Sequence, residues 1–283
     1  MSPNAKADDE VRIEVIDRAE DIVEGFHAVA EAFGRQARDA IWTSLNPGWD
    51  DVVSEGGSGG GGRARCASRM VDRWRARTHD RDGNANTVFL KATVPDKEDP
   101  QSRVVVVGLA VWVQASFVEG RGEPPEDDLR RAADLDALHP GDEREQRFLA
   151  QCYRSLVRRR VEVVREKASS YSDSDSDSDS ESDSDPPAVF VLDLCAVDPA
   201  YQRRGIASRL VRWGLEEAAS GRRGGGRLEA ITEASAMGRL AYERLGFRPV
   251  AEIEYEVDEE FRTRDTPSNL FMRTGGAPTT GGV

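Results

Sequence analysis

The sequence predicts an α/β fold, a mixed sheet with helices packed on its faces. Three observations lead there. Val11, Ile13 and Val15 alternate with Arg12 and Glu14, as in a half-buried strand, and an amphipathic helical pattern follows at once. Residues 104–113 form a nearly continuous apolar run, too short for a membrane span and fitting a strand buried on both faces. Residues 189–197 form a second such run, followed by a tight polar loop and another amphipathic helix. Against this, 32% of residues are charged and mean hydropathy is −0.59, low for 283 residues of compact chain. Part of the sequence is therefore expected in tails and loops.

The elements follow in order. After the strand at 11–16, Ile22, Phe26, Val29 and Phe33 carry helical spacing, which Gly34 is expected to end or sharply weaken. A second helix through Ile41 and Trp42 stops at Asn46-Pro47-Gly48. The glycine run 56–62 contains a dinucleotide-binding pattern, with Gly57, Gly59 and Gly62 in register. Such a pattern needs a strand before it and a helix opening on it, and residues 50–55 are no strand, so the run reads as a flexible linker. Residues 68–77 look helical and basic, and 84–93 read as a strand that pairs with 104–114 across a charged loop. Residues 119–140 are irregular and acidic. Residues 142–167 are helical, with Leu149, Tyr153, Leu156 and Val164 on one side. The arginines of that helix (154, 158, 159, 160 and 165) read as its solvated face.

Net charge is −13, and without the seven acids of 172–185 it is −6. That Ser/Asp tract has nothing to bury, so disorder is expected. It suits a solubilising linker and also an acidophilic kinase acting on its serines. The acidity argues against nucleic acid as a partner, and no apolar stretch reaches membrane-spanning length. Cys66, Cys152 and Cys195 lie far apart, as do His27, His79 and His139. Hence neither a disulfide framework nor a metal site is expected, and the chain reads as intracellular and cytoplasmic.

The chemistry concentrates after residue 188. A strand with one acid, Asp193, leads through Asp198-Pro199 into Gln202-Arg203-Arg204-Gly205-Ile206-Ala207 and a helix. Strand, tight loop and helix N-terminus leave free amides that form an anion site, and Gly205 and Ala207 let a phosphate approach the backbone. This segment resembles the Gln/Arg-x-x-Gly-x-Gly/Ala motif of the GNAT superfamily of N-acetyltransferases, with Leu192, Leu194, Val197 and Pro199 at the expected places before it. Residues 228–232 read as the next strand, and 234–247, ending Tyr242-x-x-x-Gly246-Phe247, resemble the family's following helix. The long helical insertion and the closing strand at 268–274 look like fungal-type members.

The resemblance implies a GNAT fold, α/β (α+β), with a mixed sheet of about six to seven strands splayed between its two central parallel strands. It also implies one acetyltransferase domain over 11–274, with insertions at 54–66, 119–167 and 168–187 and disordered tails at 1–10 and 275–283. The implied activity is direct acetyl transfer from acetyl-coenzyme A to a primary amine, a small molecule being favoured over a protein lysine or N-terminus. The alternative is an inactive module of this fold that binds coenzyme A.

By the same resemblance, the cofactor's pyrophosphate lies on the amides of Gln202, Arg203, Arg204, Gly205, Ile206 and Ala207. Its pantetheine pairs with the strand edge at Leu194, Cys195, Ala196 and Val197, where an N–H near Cys195 meets the carbonyl oxygen. The Cys195 thiol itself reads as a core side chain. Many members carry Asn where Ser235 stands, so Ser235 is either a cofactor contact or a helix cap. Tyr242 occupies the general-acid position, packing under the helix being the other reading. An alkyl amine with a pKa near ~10.4 is neutral in only about one molecule in ~2,500 at pH 7, so its proton must be removed. Asp193 and Glu233 are the candidate bases, each with a structural carboxylate as the alternative. Acceptor pockets in this family are lined by the first helices and inserted loops, here 17–49 and 119–167, where no motif names a substrate. The residual −6 suits a cationic acceptor.

Overall fold

The computed structural model describes residues 11–51, 61–96, 99, 103–171 and 186–275. Most of the glycine run and the whole Ser/Asp tract, with its kinase reading, lie outside the described residues. So do the tails, apart from Gly275.

Seven strands form one mixed sheet: β1 (Arg12–Val15), β2 (Thr87–Pro95), β3 (Val104–Ala115), β4 (Val189–Val197), β5 (Glu229–Ser235), β6 (Arg248–Glu252) and β7 (Asn269–Arg273). Their order is β1-β2-β3-β4-β5-β7-β6. All neighbours are antiparallel except β4 and β5, which pair in parallel from Val189↔Glu229 only as far as Leu192↔Thr232. Beyond that point β4 runs on for five residues and β5 for three, without pairing to each other, so the sheet splays.

The helices are α1 (Ala19–Val29), α2 (Ala40–Leu45), α3 (Gly62–Arg75), α4 (Leu129–Ala132), α5 (Leu135–Leu138), α6 (Glu143–Ser170), α7 (Ile206–Ala219) and α8 (Arg239–Glu243). On one face of the sheet, Ile206, Leu210, Val211 and Ala218 of α7 pack with Trp112, Phe190 and Leu192, burying the apolar stripe that the sequence shows. On the other face, Ile22 and Phe26 of α1, Val71 of α3 and Val163 and Val164 of α6 cover Phe89, Leu109 and Val191. A satellite cluster joins α2, α4, α5 and the first half of α6 through Ile41, Leu129, Leu135, Phe148 and Phe261. Among the described residues, no helix is long and apolar enough to cross a membrane.

Three local readings are corrected. Gly34 does not end the first helix: α1 continues as a π-helix over Ala30–Gln36, and the bare Cα of Gly34 receives the Trp49 ring, 2.5 Å from where a Cβ would stand. The helix expected from residue 68 starts at Gly62, so the end of the glycine run is its first turn. The stretch 119–140 contains two short helices, capped by the Asp128 and Asp134 side chains.

Candidate active site

The splay creates the site, and a bulge in β4 orients it. Trp112 pairs with Leu192 but its neighbour Val111 pairs with Leu194, leaving Asp193 as an extra residue. The backbone alternation therefore reverses. Before the bulge, the Leu192 carbonyl faces β5, where the Thr232 hydroxyl donates to it at 2.9 Å. After the bulge, the Asp198 N–H donates to Val107 of β3 at 2.9 Å, so residue 197, and 195 with it, turn their backbone groups toward the gap. The side chains follow the same shift: Cys195 and Val197 lie on the α7 face, whereas Leu194 and Ala196 pack on the α1 face.

Two cavities open on this gap. One, of 470 Å³, runs over the β4–α7 loop and is lined by Ala196, Val197, Gln202, Arg203, Gly205, Ala207 and Gly238 among others. The other, of 510 Å³, lies between α2, α6 and the ends of β4 and β5. They share Phe33, Cys195, Ser235 and Tyr242.

The loop has the form of an anion cradle. Gly205 is left-handed (φ 75°) and caps α7, nothing stands within 4 Å of where its Cβ would be, and Arg203 is also left-handed (φ 65°). First-turn amides of α7 have no intrahelical acceptor. Gln202 does not point outward; its Nε2 donates to the Val197 carbonyl at 3.0 Å and fastens the loop to β4. The Ile206 side chain is core. Leu194 lines the larger cavity instead, and the Arg204 guanidinium lies 5.2 Å from the Tyr201 ring centre.

Tyr242 is buried at the joint, its ring lodged against Gly238, where a Cβ would lie 2.6 Å away. Its hydroxyl lies beside the Cys195 thiol, and both residues line both cavities. Burial, reinforced by that thiol, holds the phenol well above its ordinary value, so it remains a neutral donor. Burial likewise pushes the Cys195 thiol up to about 12, which leaves it no thiolate character near neutrality. Ser235 does not cap α8. Gly238 holds that position, its N–H donating to the Ser235 carbonyl at 2.9 Å.

Asp193 and Glu233 are the first residues past the end of the β4–β5 ladder, and Arg160 of α6 enters between them. It donates from Nη1 to Asp193 at 2.8 Å, from Nε to Glu233 at 3.1 Å and from Nη2 to the second Glu233 oxygen. Arg73 of α3 binds the other Asp193 oxygen at 2.8 Å. Burial by itself would raise the Asp193 carboxyl, but the two arginines outweigh it and hold it well below the usual carboxylate range. A carboxylate held that low is a weak proton acceptor. Arg160 is thus no solvated residue; 13% of its side chain is exposed. The signal was in the sequence, because Arg160 continues the stripe Leu149, Tyr153, Leu156 toward Val164 at three- and four-residue steps.

Residues 175–249 match the family model of the acetyltransferase (GNAT) domain. Over that segment the chain is similar to a GNAT acetyltransferase domain. Among solved structures, a mosquito arylalkylamine N-acetyltransferase-like protein is similar at TM-score 0.52 and 12% identity, over 93% of this chain and 98% of that one. A Drosophila melanogaster polyamine N-acetyltransferase is similar at TM-score 0.51 and 8% identity, over the same shares. At such identities the likeness is one of fold. No curated protein matches the sequence. The GNAT fold accounts for the splayed sheet. The matched segment ends at residue 249 and excludes α2, α3 and α6, whose residues Asp39, Trp42, Arg73, Tyr153 and Arg160 line the larger cavity.

Proposed function

We propose that the chain is an acetyl-coenzyme A-dependent N-acetyltransferase, one domain over 11–274, that passes an acetyl group directly to a primary amine. The observation that carries this reading is the joint: two cavities on either side of a splayed sheet meet at a buried, neutral tyrosine hydroxyl. The open left-handed Gly205 and the α7 amides suit a pyrophosphate, and the unpaired edge of β4 suits an extended pantetheine arm. When bound, acetyl-coenzyme A supplies an acetyl group activated as a thioester.

The protein's part is orientation and one proton. The Cys195 N–H, turned to the gap by the bulge, is the donor available to a carbonyl oxygen. Tyr242 Oη holds the proton that the leaving sulfur takes, and the Cys195 thiol lies beside it. The role assigned to Asp193 and Glu233 is to bind Arg160 and hold the ends of β4 and β5 apart, with the amine's proton passing to water. A concave cavity of 510 Å³ lined by side chains suits a small amine more than a protein chain. The three free thiols suit a reducing, intracellular compartment.

Thiol release from acetyl-coenzyme A across a panel of primary amines tests the reading, with calorimetric titration of coenzyme A alongside. Amine-dependent release supports it. Tight binding of coenzyme A with no release for any amine replaces it with the inactive-module alternative.

A further inference from the structure

Five carboxylates line the larger cavity, and four of them are engaged. Asp193 and Glu233 are bound by Arg160. Glu123 accepts hydrogen bonds from the hydroxyls of Thr78 and Thr87, and Glu126 takes the Asp128 N–H and lies 4.0 Å from Arg131. Asp39 differs. Its Oδ1 accepts the Trp42 N–H at 2.9 Å, yet among the described residues no arginine, lysine or histidine pairs with it. Burial raises its carboxyl above the ordinary value. A half-buried carboxylate without a cation is costly to keep charged, so a cation placed beside it in the cavity would be stabilised, and such a group in a cleft is a candidate for a functional role.

Its surroundings indicate which ligand. The Asp39 N–H donates to the Phe33 carbonyl at 3.0 Å, and Phe33 lines both cavities, so Asp39 stands next to the joint on the acceptor side. The Phe33 and Trp42 rings stack with centres 5.9 Å apart, and Tyr153 and Tyr255 complete an aromatic wall. An anion within aromatic rings is a site for an ammonium group on an apolar body.

We propose that Asp39 recognises the acceptor, its carboxylate pairing with the acceptor's ammonium group while the Phe33 and Trp42 rings enclose the adjoining carbon chain. This rests on the acetyltransferase reading. Asp39 acts in binding, and the amine loses its proton to water before attack.

The test uses the full chain with coenzyme A, titrated calorimetrically with 2-phenylethylamine and with 1,4-diaminobutane, for wild type and Asp39→Asn. Asn caps a helix about as well as Asp, so the variant keeps α2 and loses only the charge. The expected result is amine affinity weakened by roughly 10–100-fold, the size of a charge-assisted hydrogen bond. Coenzyme A affinity and the thermal midpoint stay unchanged. In turnover, KM for the amine rises by the same factor while kcat holds, and Asp39→Glu recovers part of the loss. Amine affinity within twofold of wild type overturns the proposal, as does binding of neither amine to the wild type. Loss of coenzyme A binding together with the amine also overturns it, since that marks a structural role. If wild type binds an amine in an Asp39-dependent way but releases no thiol, the acetyltransferase reading fails and the Asp39 site stands.

Discussion

The two cavities that meet at Tyr242 are built by different rules. The smaller is largely backbone: the edge of β4, the amides at the start of α7 and a left-handed glycine, most of it within residues 195–244. The larger is side chains from remote segments, running from Phe33 to Asn269, and its charges are set by residues that meet only in three dimensions. A cavity made of backbone can be recognised from a short motif, because loop geometry follows from local sequence. A cavity made of distant side chains has no motif, and its acceptor can change without disturbing the other half.

Substitutions can break or sharpen this contrast. The largest effect is expected at the joint. Tyr242→Phe should lower kcat by roughly 10²–10⁴-fold, the usual worth of a positioned acid, with coenzyme A affinity unchanged by calorimetry. Equal losses in both would remove the acid role.

Arg160→Met comes next. It leaves Asp193 and Glu233 buried without their shared cation, and breaking such a pair costs about 3–5 kcal/mol, read as a lower midpoint in denaturant. A change below about 1 kcal/mol, the range of exposed pairs, would return Arg160 to the solvated face.

Gly205→Val tests the backbone half. A β-branched residue at φ 75° is strained, and its side chain would fill the space open to a phosphate. Coenzyme A affinity should fall at least ~10-fold, by the cost of about 1–3 kcal/mol for such a conformation. Retained affinity refutes the cradle.

The smallest effect is one of pH. Because the folded Asp193 carboxyl lies below its unfolded value of 3.8, its pairing contributes fully above that value and is lost only as pH falls below it toward the folded pKa. The stability gap between wild type and Asp193→Asn should therefore be constant from about pH 7 to pH 5 and narrow below about pH 4. A gap that already narrows near pH 6 would mean that the arginines do not hold the carboxyl down.

The strands from β1 to β5 were legible because their alternation or apolar run is local, and β7 was expected from the family resemblance. β6 was not, since Arg248–Glu252 has no alternation of burial and is a strand only by pairing with β7. The π-helical continuation past Gly34 was hidden for a similar reason: there the bare Cα of Gly34 packs against the ring of Trp49, fifteen residues on.

The sequence by itself determined the central strands and the β4–loop–α7 unit, because strand periodicity, helix starts and left-handed glycines are short-range properties, and the place of Tyr242 followed from the family resemblance of 234–247. Tertiary structure alone decided how the carboxylates divide. Asp193, Glu233 and Asp39 are alike in sequence, each one acid at an element's end or bulge. Arg160 and Arg73 reach the first two and not the third. The state of a buried charge depends on which countercharge lies within a few ångströms, and that is a fact about folded neighbours.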